Sequence, residues 1–260
     1  MSLRQPSALG AVMSVGAFFI VWEGLVWLFE LPAYTLPAPS LVLQTLAQHS
    51  ESLLMSWWTT LKITLGALTL AALGGVGIAA AFSLSVLLER ALFPIAVMLQ
   101  VTPIVAIAPL ILIYLDSTTA ALLLCAWIVA FFPILSNTMT GLRTIDPHLS
   151  DMFRLYQASG WQRLQLLRLP SALPYFFAGL KISAGLSLIG AVTAEMVAGA
   201  AGRETGLASR ILEASFRTET PKMFAALVLL VLTGVMLNLI FVQLSRWAFR
   251  RWPVVSEQEI

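Results

Sequence analysis

The sequence predicts an all-α integral membrane protein with about six transmembrane helices, forming one transmembrane domain over residues 1–260. Of its residues 59% are hydrophobic and only 11% are charged, whereas a soluble domain carries about 25% charged residues. Six apolar windows also reach the roughly 20 residues that a helix needs to cross a bilayer. These windows are Leu9–Phe29, Leu61–Phe82, Leu92–Tyr114, Thr118–Thr140, Tyr175–Val197 and Met223–Trp247. The longest polar interval between them is Ile145–Pro174.

Composition and motifs exclude several classes of protein. A net charge of +2, without a basic run interleaved with aromatic residues, indicates that nucleic acid is not a partner. The single cysteine, Cys125, lies in an apolar window and cannot form an internal disulfide. The chain has no H-E-x-x-H motif and no G-x-x-x-x-G-K-[ST] phosphate loop, so it is expected to be neither a zinc enzyme nor an ATPase.

The distribution of lysine and arginine predicts how the chain crosses the membrane. Residues 1–54 form a first span and outer loop, and residues 55–247 form a core of further spans. With the N-terminus inside, nine cations lie on the inner side and five on the outer side. Because inner loops carry the excess of cations, both termini and the interval 145–174 are predicted to be cytoplasmic.

The interval 145–174 predicts two short amphipathic helices. Asp146 and Pro147 form an N-cap followed by proline at the first helical position. An apolar stripe at helical spacing follows, made of Leu149, Met152, Phe153 and Tyr156. We expect Gly160 to break this helix, and Pro170 and Pro174 to end the second one. The pair indicates either a docking site for a partner protein or a linker on the lipid surface.

The third window contains Pro94, Pro103 and Pro109. Prolines free backbone carbonyls, which must be satisfied inside a membrane by neighbouring groups or by water. Gln100 and Thr102 stand beside Pro103 near the middle of the window. The pattern predicts one kinked helix, which either lines a pathway or is a structural kink sealed by protein.

The fifth window has small residues on one face, which permits either tight helix packing or a narrow passage. They are Gly179, Ser183, Ser187, Gly190, Ala191 and Ala194. Glu195 follows at the outer end, where it contacts solute or pairs with Arg203 or Lys62, and we favour the ion pair. Glu23 in the first window is either a substrate or gating contact, or a structural residue that makes a packing hydrogen bond or snorkels to the outer surface, and we favour the structural role.

Part of the interval resembles the cytoplasmic "EAA" loop of ABC-importer permeases of the binding-protein-dependent type. That pattern is E-A-A, three residues, G, nine residues, I, one residue, L-P. Asp151 takes the acidic place, and Leu167, Leu169 and Pro170 take the I-x-L-P places. Met152 and Phe153 replace the alanines, and Gln157 replaces the glycine. Further segments that look like the family are LPAPS (Leu36–Ser40), TPIVAIAPL (Thr102–Leu110), LPSALPYFFAGLKIS (Leu169–Ser183) and AVTAEMVAG around Glu195.

The resemblance implies a type I ABC importer permease, nearest to those for nitrate, sulfonate, taurine and pyrimidine precursors of thiamine. The permease would be a multi-pass protein of the bacterial plasma membrane. Its partners would be a second permease copy or a paralogue, cytoplasmic ABC ATPase subunits and an extracytoplasmic binding protein. ATP and Mg would bind to the ATPase, and no cofactor to this chain. The loop would enter the ATPase through Asp151, Arg154, Tyr156, Ala158, Ser159, Gly160 and Trp161. Residues expected on the path or its gate are Gln100, Thr102, Pro103, Ser183, Ser187 and Glu195. The alternatives are a self-sufficient ion-coupled transporter or channel and, as a weaker rival, an intramembrane enzyme.

Overall fold

The computed structural model describes residues 8–203 and 206–251, and within these ranges the chain is helical without a strand. The helices are α1 Ala8–Leu28, α2 Pro39–Gln48, α3 Ser50–Leu84, α4 Val86–Val101, α5 Ile104–Tyr114, α6 Thr118–Arg143, α7 Pro147–Leu155, α8 Gly160–Arg163, α9 Leu169–Ala200, α10 Leu207–Phe216 and α11 Thr220–Arg251. A π-helical turn, Leu164–Arg168, joins α8 to α9. The sequence-based division between residues 54 and 55 falls inside α3.

Four of the described helices are long and apolar enough to span a membrane: α3, α6, α11, and the continuous helix Gly160–Ala200 that contains α8 and α9. The bent pair α4–α5 makes a fifth span if it is counted as one. The first predicted window becomes α1, whose apolar stretch Met13–Leu28 is shorter. The all-α membrane fold is thus confirmed, with the third predicted span in two pieces.

The third window is broken, where the sequence predicted one kinked helix. The axes of α4 and α5 meet at 102°. Thr102 leaves the helical region with ψ 123°, because the proline ring that follows it disfavours helical backbone. Both its N–H and its hydroxyl donate to the Met98 carbonyl, at 3.2 and 2.7 Å, which satisfies the end of α4. Pro94 and Pro109 remain inside their helices.

The centre of the bundle is the contact between α6 and α9. A Cβ atom added at Gly179 would lie 2.8 Å from the Pro133 carbonyl oxygen, and one added at Gly190 would lie 2.9 Å from the Ala126 Cα. Such distances are too short for a side chain, so the two backbones approach as closely as glycine permits. In the single chain the small face of α9 therefore packs against α6.

The spans give the molecule two ends, which hold different connecting segments. At one end α6 is followed by residues 145–163, which lead back into α9. The other end carries the short helices α2 and α10. We call these the loop end and the α10 end.

Candidate functional site

The candidate coupling loop begins with the predicted cap. Asp146 Oδ1 accepts a hydrogen bond of 2.8 Å from the His148 N–H, and Pro147 is the first residue of α7. The carboxylate satisfies a backbone donor that the first turn of a helix leaves without a partner. The predicted N-terminus of the loop is therefore confirmed.

The break between the two short helices lies at Gln157, so the prediction that Gly160 breaks the helix is wrong. Gln157 has φ +53°, in the left-handed region that favours glycine. The Ala158 N–H donates to the Phe153 carbonyl and the Gln157 N–H to the Arg154 carbonyl, both at 3.0 Å. This pair of bonds is the Schellman motif, whose left-handed position is usually glycine. Gln157 also occupies the place where the loop pattern of the resembling permeases has its glycine.

Gly160 instead begins α8, next to a capping box at the tip of the loop. Ser159 Oγ accepts from the Gln162 N–H at 3.2 Å, and Gln162 Oε1 accepts from the Ser159 N–H at 2.8 Å. The Arg163 Nε–H donates to the Ala158 carbonyl at 3.1 Å. The S-x-x-Q spacing of residues 159–162 is a helix-start signal that sequence reasoning missed. The tip is thus ordered by its own hydrogen bonds.

The second short helix does not end at Pro170 or Pro174, contrary to prediction, but continues into α9. The Leu169 N–H reaches back five residues to the Leu164 carbonyl. This wider π turn stands immediately before Pro170, which has no N–H of its own to donate. Pro170 lies at the start of α9 and Pro174 inside it. The tip is consequently joined to a membrane span without a flexible linker.

The loop is anchored on one side and exposed on the other. Leu164 and Leu167 are buried under the loop. Tyr156 and Trp161 are 81% and 59% exposed, and they continue a set of exposed apolar side chains along α7. We call this set the coupling patch: Leu149, Met152, Leu155, Tyr156 and Trp161. The predicted coupling residues Asp151, Arg154, Ser159 and Gly160 are exposed beside it, and Ala158 is half-buried.

The residues predicted for the translocation path fall into two separate places. Gln100 and Pro103 are exposed and Thr102 is half-buried, at the break between α4 and α5. Ser183 and Ser187 are buried. Ser183 Oγ donates to the Ala130 carbonyl of α6 at 2.6 Å, and Ser187 Oγ to the Ala184 carbonyl at 3.0 Å. The chain does not bring the two groups together, and their role on a path stays a prediction.

Glu195 is fully buried and caps α10, so the favoured ion pair with Arg203 or Lys62 is wrong. Its Oε2 accepts from the Thr60 hydroxyl and from the Ala208 N–H, both at 3.1 Å. Arg203 instead donates to the Thr118 hydroxyl. A Cβ atom at residue 206 would collide with Glu195 Oε1 and Thr60 Oγ1, so glycine is required at the start of α10. Oε1 itself has no hydrogen-bond partner among the described residues.

Glu23 plays a parallel role in the first window. Its carboxylate accepts from the Ser40 N–H at 3.0 Å and from the Ser40 hydroxyl at 2.6 Å. Ser40 is the second residue of α2, where backbone donors lack helical partners. Of the two structural roles that the sequence left open, the structure shows the packing hydrogen bond, made to the serine of LPAPS.

A small charge network lies on α10, where Arg210 and Glu213 are half-buried and Arg217 is exposed. Arg210 Nη1 donates to Glu213 Oε2 at 2.7 Å, and Arg217 Nη2 lies 3.0 Å from Glu213 Oε1. The hydrogen bond from Arg210 lowers the pKa of the Glu213 carboxyl, and the charges of Arg210, Arg217 and Lys222 act in the same direction. Glu213 therefore stays ionised at neutral pH. The described residues contain no cluster of three or more metal-ligating side chains.

Comparison with known proteins gives this architecture a family. A family model described as "Binding-protein-dependent transport system inner membrane component" matches residues 73–252. A probable ABC transporter permease protein of Haemophilus influenzae is 34% identical over 224 residues, covering 86% of this chain and 89% of that protein. The riboflavin transport system permease protein RibX of Chloroflexus aurantiacus is 34% identical over 245 residues, covering 94% and 90%. The formylaminopyrimidine transport permease protein ThiX of Halalkalibacterium halodurans is 28% identical over 243 residues, covering 90% and 92%.

Solved structures agree on the fold. The inward-facing MetNI methionine ABC transporter (native crystal form) matches with a TM-score of 0.62 at 18% identity, over 75% of this chain and 94% of that chain. An amino acid ABC transporter with histidines matches with a TM-score of 0.63 at 17% identity, over 80% and 97%. The described helices thus have the type I ABC importer permease fold, and the relatives are permease subunits of transport systems and not self-sufficient transporters. The chain is a membrane-spanning permease subunit of an ABC importer and belongs to the family of binding-protein-dependent transport system inner membrane components.

Proposed function

We propose that the tip Ala158–Gly160 enters a groove on a cytoplasmic ABC ATPase subunit and transmits its movement to the spans. The observation that carries this proposal is the coupling patch, an exposed apolar surface around an ordered tip that is continuous with α9. Exposed aromatic side chains such as Tyr156 and Trp161 are the anchors that protein interfaces favour. Asp151 and Arg154 supply charges beside them that orient a partner.

The loop end faces the cytoplasm in this proposal, and both termini lie on that side. The sequence-based topology supports this orientation, since it counts nine arginines and lysines on the predicted inner side and five on the predicted outer side. ATP and Mg bind to the partner ATPase, because this sequence lacks a phosphate loop and binds neither. A second copy of the chain completes the transporter. The α10 end receives an extracytoplasmic binding protein that delivers the solute.

The solute that we propose is a small heteroaromatic compound of the pyrimidine class. Between Leu92 and Leu142 the only charged residue is Asp116, so α5, the part of α4 after Arg90 and nearly all of α6 offer no cation to an anionic solute. The exposed break supplies the neutral polar group of Gln100. The names of RibX and ThiX report heteroaromatic solutes for those relatives, whereas the name of the Bacillus subtilis relative SsuC, 28% identical, reports aliphatic sulfonates.

A competition experiment separates these classes of solute: the uptake of a labelled pyrimidine is measured in the presence of unlabelled sulfonate, taurine or nitrate. Competition by an anion stronger than by the unlabelled pyrimidine would contradict the assignment.

The coupling role is tested by Gly160→Glu. A Cβ atom at Gly160 meets nothing within 4 Å, so the substitution leaves the fold intact and places a carboxylate on the tip. An unpaired charge in an interface costs a few kcal/mol, so we expect ATPase association to fall at least about tenfold and uptake to be lost. Membrane abundance should stay at the wild-type level.

The matched control is Gln165→Glu, which adds the same charge to an exposed position of the loop away from the tip. It should retain association and uptake. Wild-type transport by abundant Gly160→Glu protein would show that the loop is a passive linker. Full uptake without any binding protein would contradict the role proposed for the α10 end.

A further inference from the structure

An arginine-rimmed cleft of about 500 Å³ lies at the loop end, where α3, α4 and α6 meet the π turn. Its floor is apolar and includes Phe82 and Leu142. Its rim carries the charged side chains Glu89, Arg90, Arg143 and Arg168. The cleft therefore combines an apolar interior with a charged edge, and the coupling role uses none of these four side chains.

The charges of the rim do not cancel. Arg143 forms an ion pair with Glu89, and its side chain is still 62% exposed. Arg168 Nη1 donates to the Ser83 carbonyl at 2.6 Å, near the end of α3, which fixes that guanidinium at the rim. Arg90 is exposed and makes no hydrogen bond or ion pair with the described residues. Three arginines against one glutamate leave two positive charges in excess.

The surface beside the rim is apolar. Val86 and Leu87, in the first turn of α4, are 61% and 80% exposed. Ser85 caps the same turn by accepting from the Leu88 N–H at 3.3 Å. A cationic rim next to exposed aliphatic side chains of the same helix is the arrangement expected where a protein meets lipid headgroups.

We propose that this cleft binds the headgroup phosphate of an anionic phospholipid in the leaflet at the loop end. The guanidinium groups of Arg90 and Arg143 contact the phosphate, since arginine presents planar paired donors to phosphate oxygens. Acyl chains lie along the exposed side chains of α4. The site is distinct from the coupling patch and from the residues predicted for the solute path.

The test uses the full chain purified in detergent, stripped of lipid, and examined by native mass spectrometry after addition of phosphatidylglycerol or phosphatidylcholine. We expect one phosphatidylglycerol retained per chain and phosphatidylcholine retained at least about tenfold more weakly. Arg90→Gln, which breaks no hydrogen bond or ion pair with the described residues, should weaken phosphatidylglycerol retention roughly fivefold or more. Glu89→Gln should strengthen it, because it removes the carboxylate that competes for Arg143.

The control is Arg246→Gln, which removes an exposed arginine near the loop end of α11 and should leave retention unchanged. Equal retention of the two lipids, or an Arg90→Gln protein that binds like wild type, would overturn the proposal. Inorganic phosphate that displaces phosphatidylglycerol at comparable concentration would identify a free-anion site instead. Loss of ATPase association by Arg90→Gln with lipid retention unchanged would assign the rim to the partner protein.

Discussion

At the scale of single residues, three helices are followed by a non-glycine residue in the left-handed backbone conformation that favours glycine. Glu30, Gln157 and Thr218 follow α1, α7 and α10 with φ of 48°, 53° and 58°. Each is followed by a residue whose N–H reaches back five residues, as in a Schellman motif. A non-glycine residue in this region costs roughly 1 kcal/mol. The only glycine that the described residues use in this way is Gly202, after α9.

Gln157→Gly should therefore stabilise the chain. It removes the left-handed strain at the turn, and after the entropy cost of glycine we expect a gain of about 0.5 kcal/mol, or roughly 1–2 °C in Tm. Thermal unfolding of the purified chain measures the effect. Ala158→Gly, one residue later at a position without positive φ, is the control and should lower Tm slightly. A fall in Tm with both substitutions would show that Gln157 carries no strain.

The partners of Glu195 are an example of contacts that could not be predicted from the sequence. A carboxylate in an apolar window signals a buried partner, and the charged candidates nearby were Arg203 and Lys62. The actual partners are the hydroxyl of Thr60, 135 residues away, and a backbone N–H of α10. A neutral hydroxyl and a backbone N–H carry no charge, so no charge pattern in the sequence points to them as partners of a carboxylate. For Glu23 the nearby outer loop favoured a structural role, but its partner, Ser40 at the start of α2, was likewise not predicted.

At the scale of helices, the contact between α6 and α9 is the most sensitive to side-chain size. Gly179→Ala places a methyl group 2.8 Å from the Pro133 carbonyl oxygen and forces the helices apart, so we expect a loss of about 1–3 kcal/mol in stability. Thermal unfolding and membrane abundance measure it. Gly185→Ala on the same helix meets nothing within 4 Å and is the matched control, which should be neutral or slightly stabilising. Equal effects of the two alanines would show that the close approach does not limit packing.

The apolar windows predicted the positions of the helices more accurately than their ends. Pro103 ends α4, Pro170 follows a π turn without a break, and Pro174 stays inside α9. The chemistry of proline is the same in each case: it removes one hydrogen bond and restricts the preceding residue. Packing decides between a kink and a break. Buried Leu164 and Leu167 hold the π turn against the bundle, whereas Gln100 and Pro103 are exposed where α4 ends.

At the scale of the whole molecule, the proposed orientation predicts opposite labelling of the two ends. Ser159 and Ser215 are exposed, at the loop tip and on α10, and the native Cys125 is buried. In intact cells an impermeant thiol reagent should label Ser215→Cys and leave Ser159→Cys unlabelled until the membrane is opened. The unsubstituted chain provides the background. The reverse pattern would place the loop outside and separate it from ATP.

The general architecture was accessible from composition and spacing, because a bilayer imposes span length and a cation bias on any such chain. The arrangement of spans relative to one another was not. Which face of α9 meets α6, and how α10 folds back onto Thr60 and Glu195, depend on long-range packing. The resemblance around the coupling loop identified the family but not the turn geometry, where Gln157 departs from the pattern.

The uninterrupted helix from Gly160 to Ala200 has a mechanical consequence. Its 41 residues rise about 1.5 Å each, so the helix is roughly 60 Å long. The close contact of Gly179 with α6 lies near its middle. If the helix tilts by about 5° about the contact at Gly179, its two ends move by roughly 2.5 Å in opposite directions. One end is the tip at Ser159, and near the other Glu195 holds the start of α10. A displacement of the tip in one direction therefore moves the start of α10, at the other end of the helix, in the opposite direction.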